Sequence, residues 1–402
     1  MRILLLTQVL PFPPDSGPKV KTWNVIKYLA RHHEVTLVSF VRGDQSASVR
    51  HLQNYCREVH PVPIQRGMLR DLRYLLDSFL TRQPFLMVRD RREEMERLVD
   101  QLAAKVDFDV VHADQLNMAQ YASRVPAARR IIDAHNALWL LYKRLWLTMQ
   151  SGPKKWLLNR DWQLIKKYEG QVCREFDAVL AVSEEDSQAL EEAAGQKLDI
   201  TIIPIAIDTD EITPITHQPQ GDRILHIGTM YWPPNIDGIL WFLSEVLPLI
   251  RNERPEVEFD IVGANPPKEI IAFDEVDRRV HVTGYVDDPT SYLEQASLMV
   301  VPLRAGGGMR VKILNALGQG LPIVSTTLGC EGIAVQAGVH LLVADSPQDF
   351  AGAVIRLLED RQLAGELGRR GRQLIESTYD YRVACHSLEQ AYSKANVSNM
   401  SK

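Results

Sequence analysis

The chain has 402 residues, 45% apolar and 24% charged, and a net charge of −5. That length exceeds what one hydrophobic core ordinarily serves, so two domains are expected, and the composition is that of a soluble globular protein, neither disordered nor fibrous. The negative balance excludes bulk nucleic-acid binding, although residues 1–210 carry 29 basic against 27 acidic side chains and the remainder 17 against 24, so the first half can tolerate an anionic surface.

The opening MRILLLTQVLPFPP holds one arginine, and its apolar run meets prolines too soon for a secretory signal. It reads as a first strand, and no later run approaches the ~20 apolar residues of a membrane span. A helical pattern from Lys19 to Arg31 and a strand, EVTLVSF, follow. From Arg66, RGMLRDLRYLLDSFL places apolar residues at 68, 69, 72, 75, 76, 79 and 80 with arginines between. The strand rhythm returns in FDVVHA, RRIIDAH, FDAVLAVS and DITIIPI. Residues 138–167 hold four of the chain's seven tryptophans (Trp139, Trp146, Trp156, Trp162) among seven Lys/Arg. Trp and cations on amphipathic helices suit a membrane interface, and the same pattern fits core-facing helices with solvated cations.

After PITHQPQGDR (Pro214–Arg223) the rhythm starts again with ILHIG, FDIVG, VHVTG, LMVVPL, PIVST and LLVA. Such alternation means parallel strands joined by crossover helices. The expected α/β organisation is two Rossmann-like domains with mostly parallel sheets, at 1–213 and 223–377, with a linker at 214–222 and a C-terminal helix at 378–402 packing back on the first domain. Ligands of open α/β sheets bind beyond the carboxyl ends of the strands, which here would face across a cleft. Four scattered cysteines without a Cys-x-x-Cys pair argue against a metal site or disulfide framework and fit a reducing cytoplasm.

The most informative junction is RAGGGMRVKILNALGQGLPIVST, residues 304–326. LMVVPL before it reads as a buried strand, and Val311–Leu317 as a helix with Ile313, Leu314 and Leu317 on one face. Gly306, Gly307 and Gly308 at the strand-to-helix turn let backbone approach a ligand, and the N–H groups of the helix start favour an anion. Arg310 adds a planar fork of donors and Lys312 a mobile point charge. Lys312, Asn315 and Gln319 fall on the face opposite the apolar one and are expected to point away from the core. The junction reads as a cradle for a diphosphate; the plainer reading is a glycine turn with two solvated cations. Neither a Walker A sequence nor Gly-x-Gly-x-x-Gly follows the first strand of either half, which disfavours a P-loop NTPase or a dinucleotide dehydrogenase. Asp208-Thr-Asp210 reads as a turn, and no metal is expected.

Taken in order, PFPPDSGPKVKTWNVIKYLARHHEVTLV, DVVHADQ, IIDAHN, KYEGQVCREFDAVLAVSEEDSQAL, IGTMYWPPNIDGILWFL, VHVTGYVDDPTSYLEQASLMVVPLRAGGGMRVKILNAL and STTLGCEGI resemble glycosyltransferases of the GT-B fold. The resemblance is to the large family 4 of retaining nucleotide-sugar transferases, in versions similar to sugar transferases of bacterial polysaccharide-export clusters. It implies a donor site holding Gly17, Gly228, Thr229, Gly263, Gly284, Tyr285, Gly306, Gly307, Gly308, Met309, Arg310, Lys312 and Asn315. It implies that His135 faces the donor sugar as the catalytic residue, hydrogen-bonding a hydroxyl or the reacting centre; His112 is read as structural. The co-substrate would be a UDP- or GDP-sugar, with no other cofactor. The acceptor would be a glycan or a lipid-linked glycan, reached by a cytoplasmic protein in peripheral contact with the inner face of the membrane.

Three departures from the family pattern stand out. Its double glycine is here Gly17-Pro18. Its Arg and Lys after the first strand of the second domain are absent, replaced by Thr229, Met230 and Trp232-Pro-Pro-Asn235; Arg310 and Lys312 are expected to supply the missing charge. Its two glutamates are Gly307 and Asn315, and an amide makes weaker hydrogen bonds than a carboxylate. These losses keep two alternatives open, a non-catalytic nucleotide-sugar or glycan sensor and a sugar-nucleotide epimerase of the same fold.

Overall fold

The computed structural model describes residues 1–393 apart from positions 127, 150, 217, 218 and 220. Three positions of the expected 214–222 linker and the last nine of the expected 378–402 helix lie outside the described residues. The chain divides into two compact units, Met1–Ala206 with Tyr381–Lys402, and Ile207–Asp380.

The first unit is built on seven strands: β1 (Arg2–Thr7), β2 (Glu34–Val41), β3 (Glu58–Pro63), β4 (Val110–Asp114), β5 (Arg129–Ala134), β6 (Ala178–Ala181) and β7 (Ile200–Ile202). They pair in the order β3-β2-β1-β4-β5-β6-β7, every pair parallel. Ile3, Leu4, Leu5 and Leu6 are all fully buried, because a parallel sheet covered by helices on both faces needs apolar side chains in both directions. The register sets Thr7 beside Asp114 and Asp114 beside Asp133. Polar residues of three neighbouring strands therefore line up at one edge, where the strand order turns around β1.

The final segment, from Tyr381, belongs to this unit: Arg129 Nε donates to the Ala391 carbonyl at 2.8 Å, and His33 Nε2 lies 3.0 Å from Glu389 Oε1. The tryptophan-rich stretch turns mostly inward. Trp139 is 1% exposed, and half-buried Trp146 and Trp162 pack in a row with it at 6.2–6.3 Å. Of the four tryptophans there, only Trp156 is exposed, so the membrane-facing reading of that stretch does not hold for the other three.

The second unit carries β8 (Arg223–Ile227), β9 (Glu258–Val262), β10 (Val280–Gly284), β11 (Leu298–Val301), β12 (Ile323–Ser325) and β13 (Leu342–Val343), ordered β10-β9-β8-β11-β12-β13 and again parallel. Phe242 is its aromatic hub, 4.7 Å from Phe259 and 5.9 Å from Phe350 between ring centroids. The break between units precedes the proline-rich stretch where composition puts it. Residues 207–213 pack inside the second unit: Thr209 Oγ1 donates to Asp380 at 2.5 Å, and Arg372 donates to the carbonyls of Thr209 and Ile212. Ile207 and Ile212 close over Gly318, where an added Cβ would meet each of them at 3.0 Å. Composition marks where a chain turns polar, whereas the boundary follows these side chains.

Candidate functional site

In the second unit the predicted glycines converge at the carboxyl ends of β8 to β11. Gly228 N–H donates to the Val262 carbonyl at 3.0 Å, and Gly263 N–H to the Gly284 carbonyl at 2.9 Å. A Cβ on Gly263 would lie 1.7 Å from the Gly228 oxygen, so the turns after β8 and β9 approach each other as only glycine allows. Gly306 and Gly308 have φ of 112° and 79°, a left-handed path that brings the chain from β11 into the helix Val311–Gly318. That helix starts with no side-chain cap, leaving its first N–H groups to another partner.

Lys312 does not point away from the core. Its Nζ lies 3.1 Å from Asn235 Oδ1, 3.5 Å from His226 Nε2 and 3.0 Å from where a Gly228 Cβ would be. Helical side chains lean toward the N-terminus, which carries this ammonium back over the first turn to the end of β8. There it stands at the turn where the resemblance lacks its cation. His226 is fully buried and directs Nδ1 at the Val300 carbonyl, 2.9 Å away. A carbonyl only accepts, so Nδ1 carries the proton and the Nε2 lone pair faces Lys312. Lys312 thus rests on two neutral acceptors, and no carboxylate among the described residues pairs with it. Burial, with the Arg310 charge adding to it, pushes its pKa down to about 7. Burial and then the Lys312 charge hold the His226 imidazole well below its ordinary range. Both shifts fall where a bound anion would relieve the strain on the lysine.

The other predicted donor residues distribute around this point. Arg310 Nη1 donates to the carbonyls of Gly307 and, at 2.6 Å, Gly308, so part of the guanidinium braces its own glycine loop. Met309 is buried. Asn315 is half-buried one turn beyond Lys312, Thr229 is exposed with its carbonyl accepting from Asn235 Nδ2 at 2.8 Å, and Tyr285 is 73% exposed just past Gly284.

In the first unit, Gly17 opens the helix Gly17–Leu29 with Pro18 behind it; proline suits a first turn because its missing N–H would be unsatisfied there. Four residues on, this helix buries Lys21 against Asp133, and Thr22 Oγ1 reaches Asp114 at 3.0 Å. Burial raises the Asp133 carboxyl, but the Lys21 ammonium and the His112 ring beside it more than reverse that and hold it well below the usual carboxylate range. His135 is 7% exposed, with Nε2 at 2.8 Å from Asp114 Oδ1 and Nδ1 at 3.3 Å from Gln115 Nε2. The carboxylate must accept, which places the imidazole proton on Nε2 and leaves Nδ1 accepting from the Gln115 amide. A ligand hydroxyl would therefore reach Nδ1 by displacing that amide.

Gln115 itself sits at φ 77°, ψ 157°, a region that non-glycine residues enter only under compulsion. Beside it, Gln8, Pro18, Asn117, His135, Asn136 and Leu138 help line a cavity of about 150 Å³. Glu169 closes the back, accepting from the Leu138 and Trp139 N–H groups at 3.0 and 3.1 Å; burial nonetheless pushes its pKa up to about 8.

His112 is fully buried, with Nδ1 2.6 Å from the Tyr392 hydroxyl, a structural position. Ligand atoms of His112, Asp114 and Asp133 come within 4.8 Å of one another, but Lys21, Thr22, His135 and Tyr392 already engage these three side chains. Reading the sequence missed Lys21, Thr22, Asp114, Gln115 and Asp133 here, and His226 and Asn235 in the other unit. The available signal was a titratable or amide residue inside an apolar strand or at its end, as in VVHADQ, IIDAH and ILHIG.

Comparison with known proteins agrees with this fold. Residues 16–211 match the family described as Glycosyltransferase Family 4, and residues 221–360 the one described as Glycosyl transferases group 1. An uncharacterized 44.6 kDa protein in the cps region of Klebsiella pneumoniae is 22% identical over 403 residues, covering 96% of this chain and 98% of that protein. Anabaena Alr3699/HepE, solved in complex with UDP, superimposes with a TM-score of 0.70 at 15% identity, covering 98% of this chain and 100% of that one. Sucrose-phosphate synthase from Thermosynechococcus elongatus does so at 0.71 and 15%, covering 98% of each chain. With its two parallel sheets in these two Rossmann-like units, the chain belongs to the family 4 glycosyltransferases and has the GT-B fold.

Proposed function

We propose that this glycosyltransferase moves a sugar from a nucleoside diphosphate sugar to a glycan or lipid-linked acceptor in cell-surface polysaccharide synthesis, with retention at the anomeric carbon. The observation that carries the reading is Lys312, a cation held by His226 and Asn235 at the Gly228 turn with no carboxylate partner among the described residues. A diphosphate there would meet this ammonium, the uncapped N–H groups of the helix Val311–Gly318 and the glycine backbone, all positive ends aimed at one place. These groups stabilise the charge that gathers on the leaving diphosphate as the glycosidic bond breaks. His135, oriented by Asp114, is the group assigned to the sugar, and the donor-binding residues are those expected from sequence, with His226 and Asn235 added. A uridine base is favoured by the relative solved with UDP and with UDP-glucose, and a polysaccharide role by the relative from a cps region.

The test is turnover with a panel of UDP- and GDP-sugars and lipid-extract acceptors, with the anomeric configuration of the product read by NMR. Absence of both binding and transfer across the panel would overturn the reading, and an inverted product would remove retention. Gly307 and Asn315, at the positions of the family's glutamates, favour one second reading, a sensor that binds nucleotide sugar without transferring it. Tight calorimetric binding with no turnover on any acceptor would select that alternative.

A further inference from the structure

The turn from Gly228 to Asn235 carries no charged residue and two large exposed side chains, Tyr231 at 64% and Trp232 at 41%. Its backbone is fixed. Met230 is fully buried, and its N–H donates to the Ala264 carbonyl at 2.9 Å. The Trp232 carbonyl accepts from the Asn235 and Ile236 N–H groups at 2.9 and 3.3 Å, and Asn235 Nδ2 reaches back to the Thr229 carbonyl. Pro233 and Pro234 then open the helix Pro233–Trp241 with φ set by their rings. Neither the Tyr231 nor the Trp232 ring packs on another ring or a cation among the described residues. A ligand that covers them therefore finds two large surfaces already held in place, with little further ordering to offset.

Single exposed aromatics are ordinary; the position of these two is not. The turn leaves β8 at Gly228, beside Lys312 Nζ, and reaches the glycine loop after β11, where Pro234 Cγ lies 3.6 Å from the place of a Gly306 Cβ. The strand order is β10-β9-β8-β11, so the turn extends to the β11 side of Lys312. Tyr285, 73% exposed, follows Gly284 on the opposite side, two strands and about 10 Å from β8. Exposed aromatic rings thus flank the cations, as the two rings of a nucleoside diphosphate sugar flank its phosphates. Charge divides in the same way. Arg310 and Lys312 stand at the middle, and the turn offers a neutral surface that suits a neutral ring better than a phosphate.

We infer, resting on the diphosphate reading of the Gly228 turn, that Trp232 with Tyr231 beside it is the surface on which the donor's sugar stacks, a neutral hexopyranose. The C–H groups on one face of such a ring carry slight positive charge and meet the negative π-face of the indole. The hydroxyls at the ring edge stay free to hydrogen-bond elsewhere. Trp232 thereby reads the sugar, whereas Lys312 and the glycines read only phosphate.

The experiment is calorimetry of the full-length protein with UDP-glucose, UDP-galactose and GDP-mannose, and with UDP and GDP alone, on wild type, W232A, W232L and W232F. W232A and W232L should each lose about tenfold in affinity for the nucleotide sugar that wild type binds, and bind the matching diphosphate as wild type does. Unchanged diphosphate binding also reports that the turn is intact in each variant. W232F keeps an aromatic face and should lose about threefold or less. The inference is overturned if W232A and W232L bind the nucleotide sugar as wild type does. It is overturned equally by the same loss for the diphosphate alone, which would give the ring to the base or to the turn itself. Ultracentrifugation showing wild type self-associated and W232A monomeric would assign the rings to a second copy and overturn it too. Failure of wild type to bind any of the five ligands would instead remove the diphosphate reading, and this inference with it.

Discussion

Replacing Lys312 by Met separates what the ammonium does for the fold from what it does for a ligand. Its pKa of about 7, against an ordinary 10.5, is a difference of about 3.5 units, or on the order of 4–5 kcal/mol at most that the ligand-free fold loses by holding the charge there. Because the folded value lies below the unfolded one, the penalty is full below about pH 7 and fades as pH rises toward about 10.5. K312M should therefore be more stable than wild type by about 1–3 kcal/mol near neutrality, as when a buried charge gives way to an apolar side chain, and the gap should close in alkali. Donor binding should move the other way. A bound diphosphate restores the proton, so wild-type affinity should fall up to about tenfold per unit above about pH 7, and K312M should lose about ten- to a hundredfold of affinity along with that pH dependence. Urea titrations at several pH values give the first quantity. Calorimetry with a nucleoside diphosphate sugar, in buffers of differing ionisation enthalpy, gives the second; such a diester does not itself titrate near neutrality. If K312M binds the donor as wild type does, or is the less stable protein at every pH, the ammonium is not the anion's partner.

Three further outcomes test the rest of the site. Asp114→Asn should leave donor affinity unchanged and lower turnover by about a hundredfold or more, since His135 would lose the carboxylate that fixes its tautomer; steady-state kinetics beside calorimetry read the split. Gly263→Ala forces a Cβ to 1.7 Å from the Gly228 oxygen, so chemical denaturation should show a loss of about 2 kcal/mol or more together with weakened donor binding. Asn315→Glu should tighten both the nucleoside diphosphate and the free nucleoside by about tenfold in calorimetry if the position faces the ribose. Tightening of the diphosphate alone would place Asn315 elsewhere.

The architecture was legible in the sequence because its signal is local and repeated. An apolar run such as RILLLT is buried on both faces in a parallel sheet, and its alternation with helical patterns says so wherever it occurs. The glycines were legible for a related reason: Gly263 and Gly308 are required by a close approach and a positive φ, which few other residues tolerate. Apolar spacing also found the stripe on Met68–Thr81, and only the tertiary structure shows that it faces water. The same pattern on residues 138–167 turns mostly inward, because the period of a helix does not say what lies against it.

Side-chain partners were the part that tertiary structure decided. Helical spacing put Lys312 on the polar face, which is correct as an angle, but its four-carbon stem carries the charge to His226 and Asn235, 86 and 77 residues earlier in the chain. Lys21, Asp133, Asp114 and His135 meet because β1, β4 and β5 lie side by side with their ends in register, a fact no window of sequence contains. The sequence by itself determined which residues could be strand, turn or helix, since those choices rest on backbone sterics and local burial. Which polar groups share a buried place, and therefore which protons and charges they hold, is set by strand order and packing, and only the folded chain supplies those.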